Sequence, residues 1–286
     1  GKSTLLKSIT KHLSLIAGVV YIDKNDLKSM SGIQTAKKIS VVLTERIKPE
    51  LMTCRDVVET GRCPYTSYFG KLPAEDGIIV TEALEQVDGL ELQNESFNNI
   101  SDGQKQRILL ARAICQQPEI IVLDEPTSFL DIKYKIELLA ILRKMAKEKN
   151  ITVIMSLHEI DLAAKISDAI VCVKGDTIWR CGTPEEIFRG DVINELYGLK
   201  SGSYNIVFGS VELAKPKGEP KVFVIGGGGS ALGFYRILQK NGIPFFTGVL
   251  HLSDIDFQVA KDLAEKVVAE KPFEQISERS FEEAVS

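Results

Sequence analysis

The stretch Ile120-Ile121-Val122-Leu123-Asp124-Glu125 sets the architecture to expect from this chain. Four consecutive apolar residues ending in two carboxylates describe a short buried strand with acids at its C-terminal edge. On its far side, Ile132–Glu148 repeats apolar residues at helical spacing, and Ile151–Ser156 reads as a second strand. On its near side, Ile39–Leu43 is a strand, Asn98–Asp102 a turn and Gln104–Cys115 a helix. Strands alternating with helices of this length predict an α/β fold with a mainly parallel sheet covered on both faces. Ligands of such sheets sit outside the C-terminal strand edges, which is where Asp124 and Glu125 fall.

Two further segments carry the same kind of chemistry. Gly1-Lys2-Ser3-Thr4 opens an apolar-periodic helix, read over residues 1–17, and matches the second half of a P-loop. In that loop backbone N–H groups at a helix start cradle phosphates, the lysine reaches the terminal phosphates and the hydroxyl holds magnesium. Asp124 is placed to bind magnesium through water, and Glu125 to polarise an attacking water. In the segment Ile100-Ser101-Asp102-Gly103-Gln104, Ser101 can cap the helix that follows. Gly103 there permits close backbone approach, and the helix dipole favours an anion.

Taken in order, Gly1-Lys2-Ser3-Thr4, Ser101-Asp102-Gly103-Gln104, Leu123-Asp124-Glu125-Pro126-Thr127 and Leu130-Asp131 resemble the motifs of ABC transporter ATPase subunits. His158, just beyond a strand in Ser156-Leu157-His158-Glu159, completes the series. The resemblance implies a P-loop NTPase fold with a helical signature subdomain at about residues 52–114 and ATP and Mg2+ as cofactors. It further implies a head-to-tail homodimer sandwiching two ATPs. Gly1, Lys2, Ser3 and Thr4 would bind phosphate, with Ser3 and Asp124 serving the metal. Ser101, Gly103 and Gln104 would meet the partner's ATP, and Asp131 would couple the two sites. Glu125 would be the general base, and His158 would contact the γ-phosphate. Transmembrane permease subunits are the implied partners, with a periplasmic or extracellular substrate-binding protein engaged indirectly. The implied location is peripheral, on the cytoplasmic face of the membrane.

The chain departs from the family pattern at two positions. Thr44 stands where a glutamine is usual after Val41-Val42-Leu43, and is taken as a candidate to hold a magnesium-bound water. Asp102 stands where the signature has glycine, and its side chain is expected to turn away from the anion, because like charges in a dry site repel strongly. Gly61-Arg62-Cys63-Pro64-Tyr65, after Met52-Thr53 and Val57-Val58, is similar to the ATPases of iron-chelate, haem and vitamin B12 importers. Two other readings are a soluble ABC ATPase of DNA repair or translation and a nucleotide-binding regulatory protein. The first lacks its long coiled coil or second cassette here, and the intact Asp124, Glu125 and His158 speak against the second.

Composition narrows the classes. With 286 residues, 44% of them hydrophobic and 26% charged, the chain is long enough for two domains and excludes a disordered or disulfide-stapled protein. A net charge of −4 gives no reason to expect nucleic acid as a partner. No apolar run approaches the roughly 20 residues that span a bilayer, and nothing reads as a secretory signal. The five cysteines show no C-x-x-C pairing, as expected of free thiols in a reducing compartment.

The ATPase domain is expected over residues 1–215, with Ala214–Pro220 as a linker and 216–286 as a small Rossmann-like βαβα unit. Its elements are Val222–Ile225, Ala231–Lys240, Phe245–Leu250 and a helix over Phe257–Ala269. Gly226-Gly227-Gly228-Gly229-Ser230-Ala231 fits a strand–glycine loop–helix that either binds a phosphate or dinucleotide or is purely structural. Starting at Gly1, the sequence lacks the first P-loop glycine, the strand before it and the aromatic that stacks on adenine in the family. The expectation is a fragment that binds ATP weakly or not at all.

Overall fold

The structure is a computed structural model that describes residues 1–43, 49, 51–66, 73–199, 201–205 and 207–285. It divides into two compact units, Gly1–Ile166 with Gly175–Thr177 and Ser167–Lys174 with Ile178–Ser286.

The first unit runs α1 (Lys2–Ile9), the strands β1 (Tyr21–Ile22) and β2 (Asn25–Asp26), α2 (Gly32–Lys38) and β3 (Ile39–Val42). It continues with α3 (Cys54–Glu59), α4 (Ala74–Gln86), α5 (Asp102–Cys115) and β4 (Ile120–Leu123). It closes with α6 (Ile132–Glu148), β5 (Thr152–Met155) and α7 (Ile160–Ile166). β3, β4 and β5 form a parallel sheet in that order, with Val42 beside Leu123 and Leu123 beside Met155. All three strands therefore end at one edge.

An all-apolar strand suits this sheet because alternate residues enter different cores. Val122 joins Leu6 of α1, Ile22 and Leu27 on one face. Ile121 and Leu123 join Leu138 and Leu142 of α6 and Ile108 of α5 on the other. The helical layer α3–α5 is fastened by a buried arginine in Gly61-Arg62-Cys63-Pro64-Tyr65, which forms a 3-10 turn. Arg62 donates Nε and Nη2 to Asp76 at 2.9 and 2.8 Å, and Nη1 to the Cys115 carbonyl at 2.9 Å. Its guanidinium lies 3.9 Å from the centre of the Tyr65 ring. Burial pushes the thiols of Cys54 and Cys115 up to about 11 and about 12, which leaves both inert.

Two expected helices end early. The helix expected over residues 1–17 stops at Ile9, and Leu13 and Ile16 are exposed. The Thr10 hydroxyl donates to the Leu6 carbonyl, and Lys11 takes a φ of +64°. The Lys11 ammonium caps the Leu27 and Met30 carbonyls at 3.2 and 2.6 Å, a tertiary contact that turns the chain off its helical path. The second case lies in the other unit.

That unit opens with β6 (Ile170–Lys174), β7 (Thr177–Gly182), α8 (Pro184–Ile187), α9 (Gly190–Tyr197), β8 (Ser203–Asn205) and β9 (Ser210–Glu212). It continues with β10 (Val222–Val224), α10 (Leu232–Lys240), β11 (Phe245–His251), α11 (Ile255–Leu263), β12 (Lys266–Glu270) and α12 (Glu278–Val285). β10, β11 and β12 form a parallel sheet in sequence order. The helix expected over Phe257–Ala269 is thus α11 followed by a third strand. Ala264 is extended, and the β-branched pair Val267-Val268 lies in a strand that runs beside Phe246 and Thr247 of β11. The Ala214–Pro220 stretch falls inside this second unit. β8 and β9 pack onto its C-terminal sheet layer, where Asn205 donates to the Gln258 carbonyl at 2.6 Å and Glu212 pairs with Arg236 at 2.6 Å.

Candidate functional site

The edge where β4 and β5 end collects four candidate residues. Asp124 is buried, and its Oδ1 accepts a hydrogen bond from Ser156 Oγ at 2.7 Å. The same hydroxyl accepts from the Glu125 N–H at 2.8 Å, so one serine orients both acids. Glu125 has a φ of +51°, a left-handed conformation that costs a non-glycine residue about 1 kcal/mol or more and clusters at functional sites. Its Oε1 lies 2.7 Å from His158 Nε2, and its Oε2 accepts from Ser128 Oγ at 3.2 Å. Lys2 Nζ donates to the Leu157 carbonyl at 3.2 Å and lies 3.4 Å from His158 Nδ1. The same ammonium lies 3.3 Å from His158 Nε2, so it sits against both ring nitrogens, and the Glu125 carboxylate at 2.7 Å is the group that favours a proton on Nε2. Lys2 from the chain start and Asp124, Glu125 and His158 from two strand ends thus form one cluster.

Gly1 is the N-cap of α1, and no side chain caps that helix. Ser3 and Thr4 sit in its first turn, Ser3 half-buried and Thr4 exposed. A second group of candidates lies at the starts of α5 and α6. Ser101 and Gln104 form a capping box: Ser101 Oγ accepts from the Gln104 N–H at 3.3 Å, and Gln104 Oε1 from the Ser101 N–H at 2.9 Å. Gly103 follows in the first turn, buried. The Asp102 carboxylate is 51% exposed and 3.9 Å from Lys105 Nζ. Asp131 caps α6 by accepting from the Tyr134 N–H at 3.1 Å. Thr44 lies outside the described residues.

Sequence reasoning missed the residue that orients the acids, Ser156, and the one that braces Thr127 in the same turn, Glu159. Ser156 and Glu159 flank His158 and were quoted with it, yet neither carried a role. Glu159 accepts from Thr127 Oγ1 at 3.0 Å and Lys135 Nζ at 2.6 Å. Burial raises the pKa of this carboxyl, but those two hydrogen bonds outweigh it and hold the group below the ordinary glutamate value. The only available signal was position: a hydroxyl at the end of a strand beside an acid-bearing one.

The glycine loop of the second unit answers its open question differently. Asp256, fully buried, accepts from the Gly227 N–H at 2.7 Å and the Ala231 N–H at 3.3 Å. Asp254 accepts from the Gly228 N–H at 3.0 Å. The donors that would meet a phosphate already meet the protein's own carboxylates. Gly226 is required by this arrangement, because a Cβ there would lie 2.7 Å from Ala231 Cβ and 3.1 Å from Asp256 Oδ2.

The comparisons with known proteins agree with the first unit. Residues 1–128 match the ABC transporter family, and residues 245–286 match the MJ0874 family. The ABC transporter ATP-binding protein MJ0873 of Methanocaldococcus jannaschii is 43% identical over 251 residues, covering 87% of each chain. This chain belongs to the ABC transporter ATP-binding family. The cobalamin import ATP-binding protein BtuD of Halobacterium salinarum is 28% identical to it, over 97% of this chain and 71% of the relative. A solved metal-chelate type ABC transporter in an inward-facing conformation shares 27% identity and superimposes with a TM-score of 0.61, covering 70% of this chain and 75% of that one. The ABC ATPase is therefore an α/β P-loop NTPase that binds and hydrolyses ATP. None of its described helices is long and apolar enough to cross a membrane.

The cluster fits the nucleotide of an ABC ATPase. The uncapped first N–H groups of α1 and the Lys2 ammonium supply donors for phosphate oxygens. Among the described residues no three His, Cys, Asp or Glu side chains could hold a metal alone. A single buried carboxylate, Asp124, instead suits an ion held largely by phosphate and water, as Mg2+ is.

Proposed function

We propose that this ABC ATPase is the energy-supplying subunit of an importer for a metal chelate, an iron-siderophore or haem, or for cobalamin. The name of the BtuD relative and the metal-chelate type neighbour support that substrate class. The partners are transmembrane permease subunits and a second copy of this chain, with a substrate-binding protein acting through the permease. The protein works peripherally at the cytoplasmic face of the membrane. Residues 1–215 are read as the ATPase domain and 216–286 as an accessory unit.

One observation carries the catalytic assignment: Glu125, conformationally strained and oriented through Ser156, points Oε1 at His158 Nε2 at 2.7 Å. Bound MgATP supplies the phosphoryl group and neutralises its charge. Lys2, with Ser3 and Thr4, would hold phosphate oxygens, while Ser3 and Asp124 would hold the magnesium ion. As the water oxygen bonds to the γ-phosphorus and the bond to the β-phosphate oxygen breaks to release ADP, Glu125 Oε1 would accept the water's proton and the His158 N–H would turn to the transferring phosphate. Ser101, Gly103 and Gln104 meet the partner's nucleotide, and Asp131 links the two sites. Catalysis is thus positioning plus charge stabilisation. Glu125→Gln should hold the MgATP-bound dimer without turnover; wild-type turnover in that variant removes Glu125 as the base.

A further inference from the structure

The two helix starts of the second candidate group meet through one aromatic ring. Gly103 lies in the first turn of α5, two residues after Ser101, and Tyr134 in the first turn of α6, three residues after Asp131. A Cβ built on Gly103 would lie 2.9, 3.1 and 3.3 Å from Cδ2, Cγ and Cε2 of Tyr134. The ring therefore fills the space a side chain would take. Gly103 needs to be glycine for this contact, quite apart from any approach to an anion. One turn further along α5, Arg107 also approaches the ring, its guanidinium carbon 5.7 Å from the ring centre. Arg107 Nη1 donates to the Asp88 carbonyl at 2.7 Å, just past the end of α4. The start of α5 is thus held between the first turn of α6 and the end of α4.

Tyr134 is tied to Asp131 as closely as to Gly103. Its N–H is the donor that Asp131 Oδ1 caps at 3.1 Å. Ser101 is in turn locked to α5 by the reciprocal bonds of its capping box. A chain of contacts therefore runs from Asp131 through the Tyr134 backbone and ring to Gly103 and the Ser101 hydroxyl. The ring is half-buried, but it already meets the buried Gly103 at contact distance, and atoms in contact yield little.

We propose that Tyr134 is a positioning residue that fixes Ser101 relative to Asp131, so that both meet the partner's nucleotide together. This rests on the reading of Ser101 and Asp131 given above. The ring does the positioning and the hydroxyl does not, so phenylalanine replaces tyrosine and alanine fails.

The test uses the full protein with four changes: Tyr134→Ala, Tyr134→Phe, Gly103→Ala and the double variant Gly103→Ala/Tyr134→Ala. Tyr134→Ala should lower kcat at least tenfold and weaken MgATP-dependent dimerisation, measured in a Glu125→Gln background, at least tenfold. The Kd of the protomer for ATP should stay within twofold of wild type. Tyr134→Phe should stay within twofold on every measure. Gly103→Ala should lower the thermal midpoint in the wild type, where the methyl meets the ring, and by clearly less in Tyr134→Ala, where the notch is open. A wild-type kcat in Tyr134→Ala overturns the proposal, as does a Tyr134→Phe protein as impaired as Tyr134→Ala. So do additive midpoint shifts. If Glu125→Gln with Tyr134 intact forms no MgATP dimer, the reading of the site has failed, and the proposal falls with it for that separate reason.

Discussion

Two strand-to-helix turns in this molecule, one bearing acids and the other glycines, treat charge in opposite ways. At the end of β4, Asp124 and Glu125 are oriented by a neutral hydroxyl, Ser156, which leaves both charges in place at the sheet edge. After β10, the N–H groups of Gly227, Gly228 and Ala231 point at Asp254 and Asp256 from the start of α11. The first turn keeps its acids beside His158 and a serine hydroxyl at the sheet edge, and the second has donors that the fold itself fills with carboxylates. A glycine-rich loop after a strand is therefore an anion site only where no neighbouring element delivers a carboxylate into it.

The largest effect expected from this contrast is at the open turn. Glu125→Gln should lower ATP turnover about 10³-fold, within the range for losing a general base, with the fold intact by circular dichroism. At the filled turn the loss should be structural. Asp256→Ala leaves buried N–H groups unpaired, and should lower unfolding free energy by about 2–3 kcal/mol, read by denaturant titration. Sulfate or phosphate should raise the thermal midpoint of that variant more than that of wild type, because the emptied cradle then accepts an anion. An equal rise in both proteins would remove the claim that the carboxylate stands in for one.

A smaller effect belongs to Glu159, which supports the open turn from behind. Its pKa is lowered on folding, so its ion pair stabilises the protein above the ordinary glutamate value of 4.5. That stability is lost as pH falls through the lower folded value. Glu159→Gln should cost about 0.5 kcal/mol near neutral pH, since the pair is partly solvated, and nothing in strong acid. The smallest expected signal is none: calorimetric titration of the full protein with ATP should find no second nucleotide site per chain. A second site would point to the glycine loop and break the contrast.

How far the sequence could be read follows the same division. β4 and α6 were legible because their apolar periods are unbroken, and their bounds match the expectation from Ile120 to Leu123 and from Ile132 to Glu148. The early end of α1 was not, because Lys11 leaves the helix to cap carbonyls near Met30, a contact that no local pattern encodes. β12 was hidden because Val267 and Val268 follow α11 without a glycine or proline to mark the break. Arg62, quoted as part of a subfamily motif, is a buried clamp on Asp76 and Cys115, residues far along the chain.

Local chemistry along the chain was enough to name the acids, the lysine, the histidine and the parallel α/β sheet that displays them, because each depends on residue type and short-range spacing. Long-range packing settled the rest. It made Ser156 the shared orienter of Asp124 and Glu125, seated the Tyr134 ring in the space beside Gly103, and closed the second glycine loop with Asp254 and Asp256. Those outcomes depend on which side chains reach one another across the fold, and a hydrogen bond or a filled notch exists only once both partners have been brought to within a few ångströms.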